Sequence, residues 1–294
     1  MSLLSIHMEG FEMNQLEIFE IEDEDMPTIQ NPGSALGEAI GAHMELALNR
    51  YLAQLVDQYS CRLISKGPLK KGKATKLLLY DDYGTAYNID SVVTNEANQP
   101  LILVEYKYIR YKKHNRDKGS WVCTAHNAVR RRYSSIRSSI AILAGSWSKS
   151  SVAMMKSHEI NIFIIPFDKI TELLKAHDIV FDWGEKDRHV AQESWEKYSK
   201  LTPLQKFQIA EDMIAVVKDD VEAAINLTLD NQASREITRT VVEIHTNLGE
   251  VRWFEFITIQ DAIEFLEDFT IEEILKIESG YTLFDIPVFS SDDE

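Results

Sequence analysis

The chain has little cysteine, no glycine-rich phosphate loop and no internal repeat, and each absence excludes a class of protein. Its two cysteines, Cys61 and Cys123, show neither CxxC nor Cys/His spacing. This argues against a disulfide framework or a structural zinc site, and we expect both thiols to be buried as small apolar groups. Gly84, Gly119 and Gly145 are isolated glycines, so none belongs to a phosphate-binding loop.

Long apolar runs are also missing. No stretch reaches the roughly 18 apolar residues of a membrane span, and the N-terminus lacks the basic and apolar regions of a signal peptide. We therefore expect a cytoplasmic protein that does not enter a membrane. With 294 residues, 45% of them hydrophobic and 27% charged, the composition is that of a globular protein with one substantial core or two smaller ones.

Charge is distributed very unevenly along the chain. The formal net charge of −16 counts against a polyanionic partner, but residues 1–30 hold eight acids and no Lys or Arg. Residues 105–137 hold ten bases and only two acids, which marks a possible phosphate-binding face. We interpret residues 1–33 as an acidic, solubilising lead-in; masking of the basic face is the alternative.

Periodicity predicts the elements of the central part. A long amphipathic helix is expected over residues 35–58, with Ser34 as its N-cap. β-prone segments then follow at residues 61–64, 76–81, 87–93 and 101–109. A second helix is expected over residues 123–143, a buried strand over 161–167, and a helix capped by Asp168 up to residue 176. This order predicts an α/β fold with a mixed sheet flanked by helices.

The C-terminal third has a different pattern. We expect a helix over residues 204–227, a hairpin of residues 238–244 and 251–257, and a helix over 259–269. These elements predict a C-terminal α+β extension. The expected organisation is therefore a lead-in at 1–33, a core at 34–186, an accessory region at 187–289 that serves specificity or dimerisation, and a short tail at 290–294.

Three charged residues interrupt apolar strand patterns. Asp90 lies in the segment 87–93, and Glu105 and Lys107 lie in the segment 101–109. Residues two apart share a face of a strand, and a return from Asp90 can bring all three side chains together. Burying them without a metal or an ionic partner is costly. Two carboxylates and a phosphate oxygen suit Mg²⁺, whereas an exposed Glu-x-Lys pair is the plain alternative.

The order of these motifs resembles the PD-(D/E)XK nuclease superfamily, particularly its restriction-endonuclease-like members. The resemblance covers about residues 35–180 and includes the first helix, Asn88-Ile89-Asp90 and Val104-Glu105-Tyr106-Lys107, with Ile89 at the position of the family's proline. It implies that Asp90 and Glu105 bind Mg²⁺, with Mn²⁺ as a possible substitute, and that Lys107 is catalytic. It also implies an acid on the first helix as a ligand or water-orienting group, either Glu45 or Glu38.

The basic segment after the motif suggests the substrate. We expect phosphate contacts from residues on the loop and on the next helix: Lys112, Lys113, Arg116, Lys118, Arg130, Arg131 and Arg132. Together with the resemblance, this predicts a Mg²⁺-dependent endodeoxyribonuclease of type II restriction character that acts on DNA as a homodimer. The alternatives are a repair or structure-specific nuclease on the same core, and a DNA-binding or interaction module that does not cleave.

Overall fold

The computed structural model describes residues 31–70, 73–110, 115–184 and 187–272. The acidic residues 1–30, the expected DNA-contacting Lys112 and Lys113, and the tail at 290–294 lie outside the described residues. The chain divides into two compact units, Met1–Leu229 and Asp230–Glu294. The division lies after Leu229 rather than at residue 187, because the helices over residues 188–215 pack against the first helix and the helix over residues 218–229 packs against the last strand of the sheet.

The first unit alternates helices with short and long strands. Its described strands are β1 (Arg62–Ile64), β2 (Leu69–Lys70), β3 (Lys73–Ala74), β4 (Leu78–Tyr80), β5 (Ala86–Asn88), β6 (Ser91–Thr94), β7 (Pro100–Ile109), β8 (Ser138–Gly145) and β9 (Ile160–Pro166). Its described helices are α1 (Pro32–Asp57), α2 (Asn115–Arg132), α3 (Lys149–Ser157), α4 (Phe167–Lys175), α5 (Arg188–Ser199), α6 (Pro203–Ala215) and α7 (Lys218–Leu229).

A mixed five-stranded sheet forms the centre of this unit. Its order is β1-β6-β7-β8-β9. The pairs β1-β6 and β6-β7 are antiparallel, whereas β7-β8 and β8-β9 are parallel. The strands β2-β3 and β4-β5 form separate two-stranded sheets. The expected mixed α/β sheet flanked by helices is confirmed.

Helix α1 covers the first face of the sheet. Its apolar residues recur with helical spacing, and Leu36, Ile40 and Leu48 on this stripe are buried, which is why the segment forms an amphipathic helix. The helix begins earlier than predicted. Asn31, not Ser34, is the N-cap: its side chain accepts a hydrogen bond from the Ser34 backbone N–H at 3.1 Å. Proline at the first helical position suits this start.

The predicted helix over residues 123–143 is correct as far as Arg132 and wrong beyond it. Helix α2 ends at Arg132, and residues Ser138–Gly145 form β8, buried at every position. Alternate side chains of β8 pack into different clusters, with Ile140 and Ile142 on one side and Leu143 on the other. A central strand covered on both faces shows no alternation of polar and apolar residues, so its spacing imitated a helical stripe.

Helices cover both faces of the sheet. The core on one face contains residues of α1, α4, α5, α6 and α7. On the other face, α2 packs with the β4-β5 hairpin in one cluster and with α3 in another. Both cysteines are buried, as expected. The unit is therefore a three-layer α/β/α arrangement in which β7 and β8 are covered on both sides.

Smaller corrections concern helices after β9. The predicted helix over residues 204–227 is two helices, α6 and α7, since α6 packs on α1 and α4 whereas α7 packs on β9. Helix α5 was not predicted. Asp168 lies in the first turn of α4 and is not its cap, which is Pro166.

The second unit has the predicted hairpin and helix. Strands β10 (Thr240–His245) and β11 (Val251–Phe256) are antiparallel, and α8 spans Ile259–Glu267. Phe265 of α8 packs against Phe254 and Phe256 of the hairpin, with ring centroids 4.5 and 5.1 Å apart. Across both units, none of the helices in the described ranges is long and apolar enough to cross a membrane.

Candidate active site

Asp90 is placed by a change of strand partner. Residues 87–93 were predicted as one strand, but β5 pairs with β4 and ends at Asn88, while β6 pairs with β7 and begins at Ser91. Asp90 lies at the break between them. Its Oδ2 accepts a hydrogen bond from the Tyr106 backbone N–H at 2.9 Å. The break therefore holds the carboxylate against β7, next to Glu105.

Lys107 lies between the two carboxylates. Its ammonium contacts Asp90 Oδ2 at 2.7 Å and also contacts Glu105 Oε2. Glu105 is 1% exposed at its side chain, whereas Asp90 is 18% and Lys107 20% exposed. The structure thus brings together Asp90, Glu105 and Lys107, and we refer to these three residues as the charged cluster.

The pKa values of the three residues of the cluster are shifted in different directions. Burial raises the pKa of Asp90 to about 7, and neighbouring Glu105 adds to this, while Lys107 acts in the opposite direction. Burial also acts to raise the pKa of Glu105, but His126 and Lys107 outweigh it and lower that pKa to about 2. The pKa of Lys107 is raised, because the two carboxylates outweigh its burial. Near neutral pH, Glu105 and Lys107 are therefore charged, and Asp90 carries the exchangeable proton.

His126 of α2 lies behind Glu105 and was not found from the sequence. The ring is completely buried, and its Nε2 is 3.8 Å from Glu105 Oε1, longer than a hydrogen bond. Glu105 Oε1 has no hydrogen-bond partner in the described structure. His126 carries no signal at the level of the sequence, because Glu105 lies 21 positions away from it in the chain.

The first helix contributes an acid from the opposite side. Glu45 and Glu38 both line a cavity that Tyr106 and Tyr108 of β7 also line, as expected for residues two helical turns apart. Glu45 is half-buried and Glu38 is exposed. Burial raises the pKa of Glu45, with Lys107 lowering it and Glu105 raising it. Because Glu45 interacts electrostatically with the cluster, it is the better candidate of the two.

A polar bridge connects α1 to the strands that carry the cluster. Asn49 Oδ1 accepts hydrogen bonds from the hydroxyls of Ser91 and Tyr106, at 2.7 and 3.0 Å. Ser91 and Tyr106 are the chain neighbours of Asp90 and of both Glu105 and Lys107. The bridge was not predicted, since an asparagine on a helix is usually a solvated residue. It sets the position of α1, and with it Glu45, relative to β6 and β7.

The predicted DNA-contacting residues lie in two places. Arg116 and Lys118 are exposed in the first turns of α2, and Lys118 donates to the Tyr108 carbonyl at 3.3 Å. Its local desolvation and nearby Lys107 lower the pKa of Lys118. Residues 130–132 are at the other end of α2, about 18 Å further along its axis. There Arg130 pairs with Glu159 at 3.5 Å. Lys118 therefore lies close enough to the cluster to interact electrostatically with Lys107.

Few side chains at the cluster could bind a metal ion. Within residues 31–70, 73–110, 115–184 and 187–272, no three His, Cys, Asp or Glu side chains converge as a complete metal-ligand set. Asp90 and Glu105 do converge, whereas Glu105 Oε1, which has no hydrogen-bond partner in the described structure, is buried on the side of His126. This donor set fits Mg²⁺, which binds through one or two carboxylates and keeps its remaining positions for water and phosphate.

Comparison with known proteins gives no family. No family model matches the chain, and no curated protein matches it. A structural match is the crystal structure of a protein of unknown function, AF1548, with 9% sequence identity and a TM-score of 0.30; it covers 61% of this chain and 99% of that one. A TM-score of this size does not establish a common fold.

Proposed function

We propose that the first unit is a Mg²⁺-dependent endonuclease that hydrolyses phosphodiester bonds of DNA, with a restriction-endonuclease-like core. The observation that supports this most strongly is the charged cluster itself. Two carboxylates and an ammonium, from β7 and from the break before β6, meet where Glu105 is almost fully buried while Asp90 and Lys107 stay partly exposed. Burying charge in this way is costly unless the charge is paired or used.

Each residue then has a role set by its position. Asp90 and Glu105 would hold the cation, which would supply charge neutralisation at the phosphate and lower the pKa of the attacking water. Lys107 stabilises the negative charge that develops on the phosphate oxygens. Glu45 faces the cluster from α1 and orients the attacking water or accepts its proton, for which its raised pKa is suited.

Supporting groups keep these residues in place. The Tyr106 backbone N–H orients Asp90, and His126 packs behind the buried end of Glu105. Asn49 couples the helix that bears Glu45 to the strands. Catalysis by positioned charges is sensitive to small displacements, so this second layer is essential for the proposed reaction.

A cleavage assay tests the proposal. Supercoiled plasmid, linear duplex and single-stranded circular DNA are each incubated with the full chain and Mg²⁺, and with EDTA. We expect cleavage only with metal, and at least about a 100-fold lower rate for Asp90→Ala and for Lys107→Ala. Lys175→Ala is the matched control, because Lys175 is an exposed lysine near the end of α4. Cleavage that survives both cluster substitutions would show that the reaction occurs elsewhere.

The same assay tests the predictions of dimerisation and of sequence-specific cutting. Discrete fragments from linear duplex favour a restriction activity, and two coordinated cuts per site favour a homodimer. Nicks or single-strand products favour a repair or structure-specific nuclease.

A further inference from the structure

Glu105 points away from the first helix. Leu103, two residues before it on β7, packs with residues of α2, whereas Val104 and Tyr106 pack in the core that contains α1. Successive side chains of a strand point to opposite faces. The direct partner of Glu105 on β8 is Ala141, which belongs to an apolar cluster with residues of α2. The carboxylate therefore lies in the layer between the sheet and α2, among apolar side chains.

His126 of α2 lies in the same layer. It is completely buried, as are Val122 and Val129 one helical turn to either side of it. Its Nε2 is 3.8 Å from Glu105 Oε1, and neither of these atoms nor the His126 Nδ1 has a hydrogen-bond partner in the described part of the chain. A buried polar group without a partner is costly, and an apolar side chain would avoid that cost. Packing of α2 alone thus gives no reason for a histidine at this position.

The two oxygens of Glu105 have different surroundings. Oε2 contacts the Lys107 ammonium, which also contacts Asp90, on the side where those two side chains are partly exposed. Oε1 is on the side of His126. A carboxylate that binds a metal ion through one oxygen commonly accepts a hydrogen bond at the other, and this hydrogen bond fixes its orientation. A shift of less than about 1 Å would bring His126 Nε2 within hydrogen-bond distance of Oε1.

We propose that His126 is the positioning residue of Glu105: its Nε2–H donates a hydrogen bond to Oε1 and so holds Oε2 on the side of Asp90, where the two carboxylates can bind one cation together. His126 does not itself contact the cation. This inference rests on the proposed nuclease function, because it concerns how the metal site of that function is held in place. It predicts that a hydrogen-bond donor at position 126 matters more for metal affinity than the volume of the side chain does.

Metal binding in the absence of DNA tests this role without an activity assay. The full chain is titrated with Mn²⁺ at neutral pH, and the electron paramagnetic resonance signal of free Mn²⁺ gives the dissociation constant. We expect His126→Leu to weaken Mn²⁺ binding by about 10- to 100-fold, as loss of a hydrogen bond to a metal-binding side chain does. His126→Gln should stay within about three-fold of the wild type, because the glutamine Nε2 can take the place of the imidazole Nε2 and donate the same hydrogen bond.

Urea unfolding of the metal-free protein separates positioning from packing. Val129→Ala removes buried volume one turn along α2, and it should lower the unfolding midpoint without changing the affinity for Mn²⁺. His126→Leu should leave that midpoint unchanged or raise it, because leucine carries no buried polar group that lacks a partner. Asp90→Ala removes the other carboxylate of the cluster, and it should abolish Mn²⁺ binding there.

The outcomes distinguish this inference from the nuclease proposal. Unchanged Mn²⁺ affinity in His126→Leu, or a loss in His126→Gln or Val129→Ala as large as in His126→Leu, overturns the positioning role; if Asp90→Ala no longer binds Mn²⁺, the metal site itself still stands. A lower unfolding midpoint for His126→Leu than for Val129→Ala would show that the histidine packs the core, and it also overturns the role. Equal Mn²⁺ binding by the wild type and Asp90→Ala, or none by either, overturns the metal site and both proposals with it.

Discussion

Asp90 makes the metal-free protein less stable as pH rises. Burial raises its pKa from 3.8 to about 7, with Glu105 contributing to the increase, and unfolding restores the ordinary pKa. One pKa unit corresponds to about 1.4 kcal/mol, so ionising this carboxyl in the folded protein costs about 4 kcal/mol. Because the folded-state pKa is the higher one, this stability is fully present below about pH 4 and is lost as the pH rises to about 7.

Asp90→Asn should therefore stabilise the metal-free protein. The asparagine oxygen can accept the hydrogen bonds from the Tyr106 N–H and from Lys107 that Oδ2 accepts now, and its amide can donate to Glu105 as a protonated Asp90 would. Lys107 then pairs with Glu105 alone. We expect a gain of about 2–4 kcal/mol at about pH 8 and almost none at about pH 4. The same substitution should abolish cleavage.

Urea unfolding at both pH values, in EDTA and in Mg²⁺, measures these effects. Mg²⁺ at 100 times its dissociation constant should stabilise the wild type by about 2.7 kcal/mol and should leave Asp90→Asn unchanged. Asp212→Asn, at an exposed site of α6, is the control for loss of a surface carboxylate. A variant that is less stable than the wild type at about pH 8 would refute the assigned charge balance, and equal stabilisation of both proteins by Mg²⁺ would refute the metal site.

Two further predictions concern α1. Gly41→Ala should raise the free energy of unfolding by about 0.5–1 kcal/mol, since alanine favours helix and a Cβ there would make an ordinary contact with Tyr108 at 3.5 Å. Gly37→Ala should raise it less, because its Cβ would lie 3.0 Å from the same ring. An equal gain for both variants in thermal unfolding would contradict this. Tyr51→Phe should cost about 1–2 kcal/mol in urea unfolding, because the hydroxyl donates to Glu222 at 2.7 Å; a neutral result would mean that the bond to α7 does not contribute.

The local spacing of apolar residues was sufficient to predict a helix or strand that has one buried face along its whole length. Helix α1 has one apolar stripe against the sheet, and the β10-β11 hairpin has alternating exposure. This spacing failed to predict the element where burial depends on residues far away in the sequence. Strand β8 is covered on both faces by parts of the chain far from it in sequence, and periodicity within a short window carries no information about such a covering.

The candidate site divides in the same way. Asp90, Glu105 and Lys107 were recognisable because charge within apolar strand segments is costly unless it is paired or used. The choice of Glu45 over Glu38 could not be made from the sequence, since helical spacing places both residues on the same side of α1. It required the packing of α1 on β7, which half-buries one acid and leaves the other exposed.

By itself, then, the sequence determined the alternation of helices and strands, the mixed α/β class and the three charged residues of the cluster, because these follow from local spacing and from the cost of burying charge. Only the tertiary structure decided that Asp90 lies at a change of strand partner, that His126 packs behind Glu105, and that α1 carries Glu45 close enough to interact electrostatically with the cluster. Those features arise from contacts between segments distant in the chain, which the linear order of residues does not express.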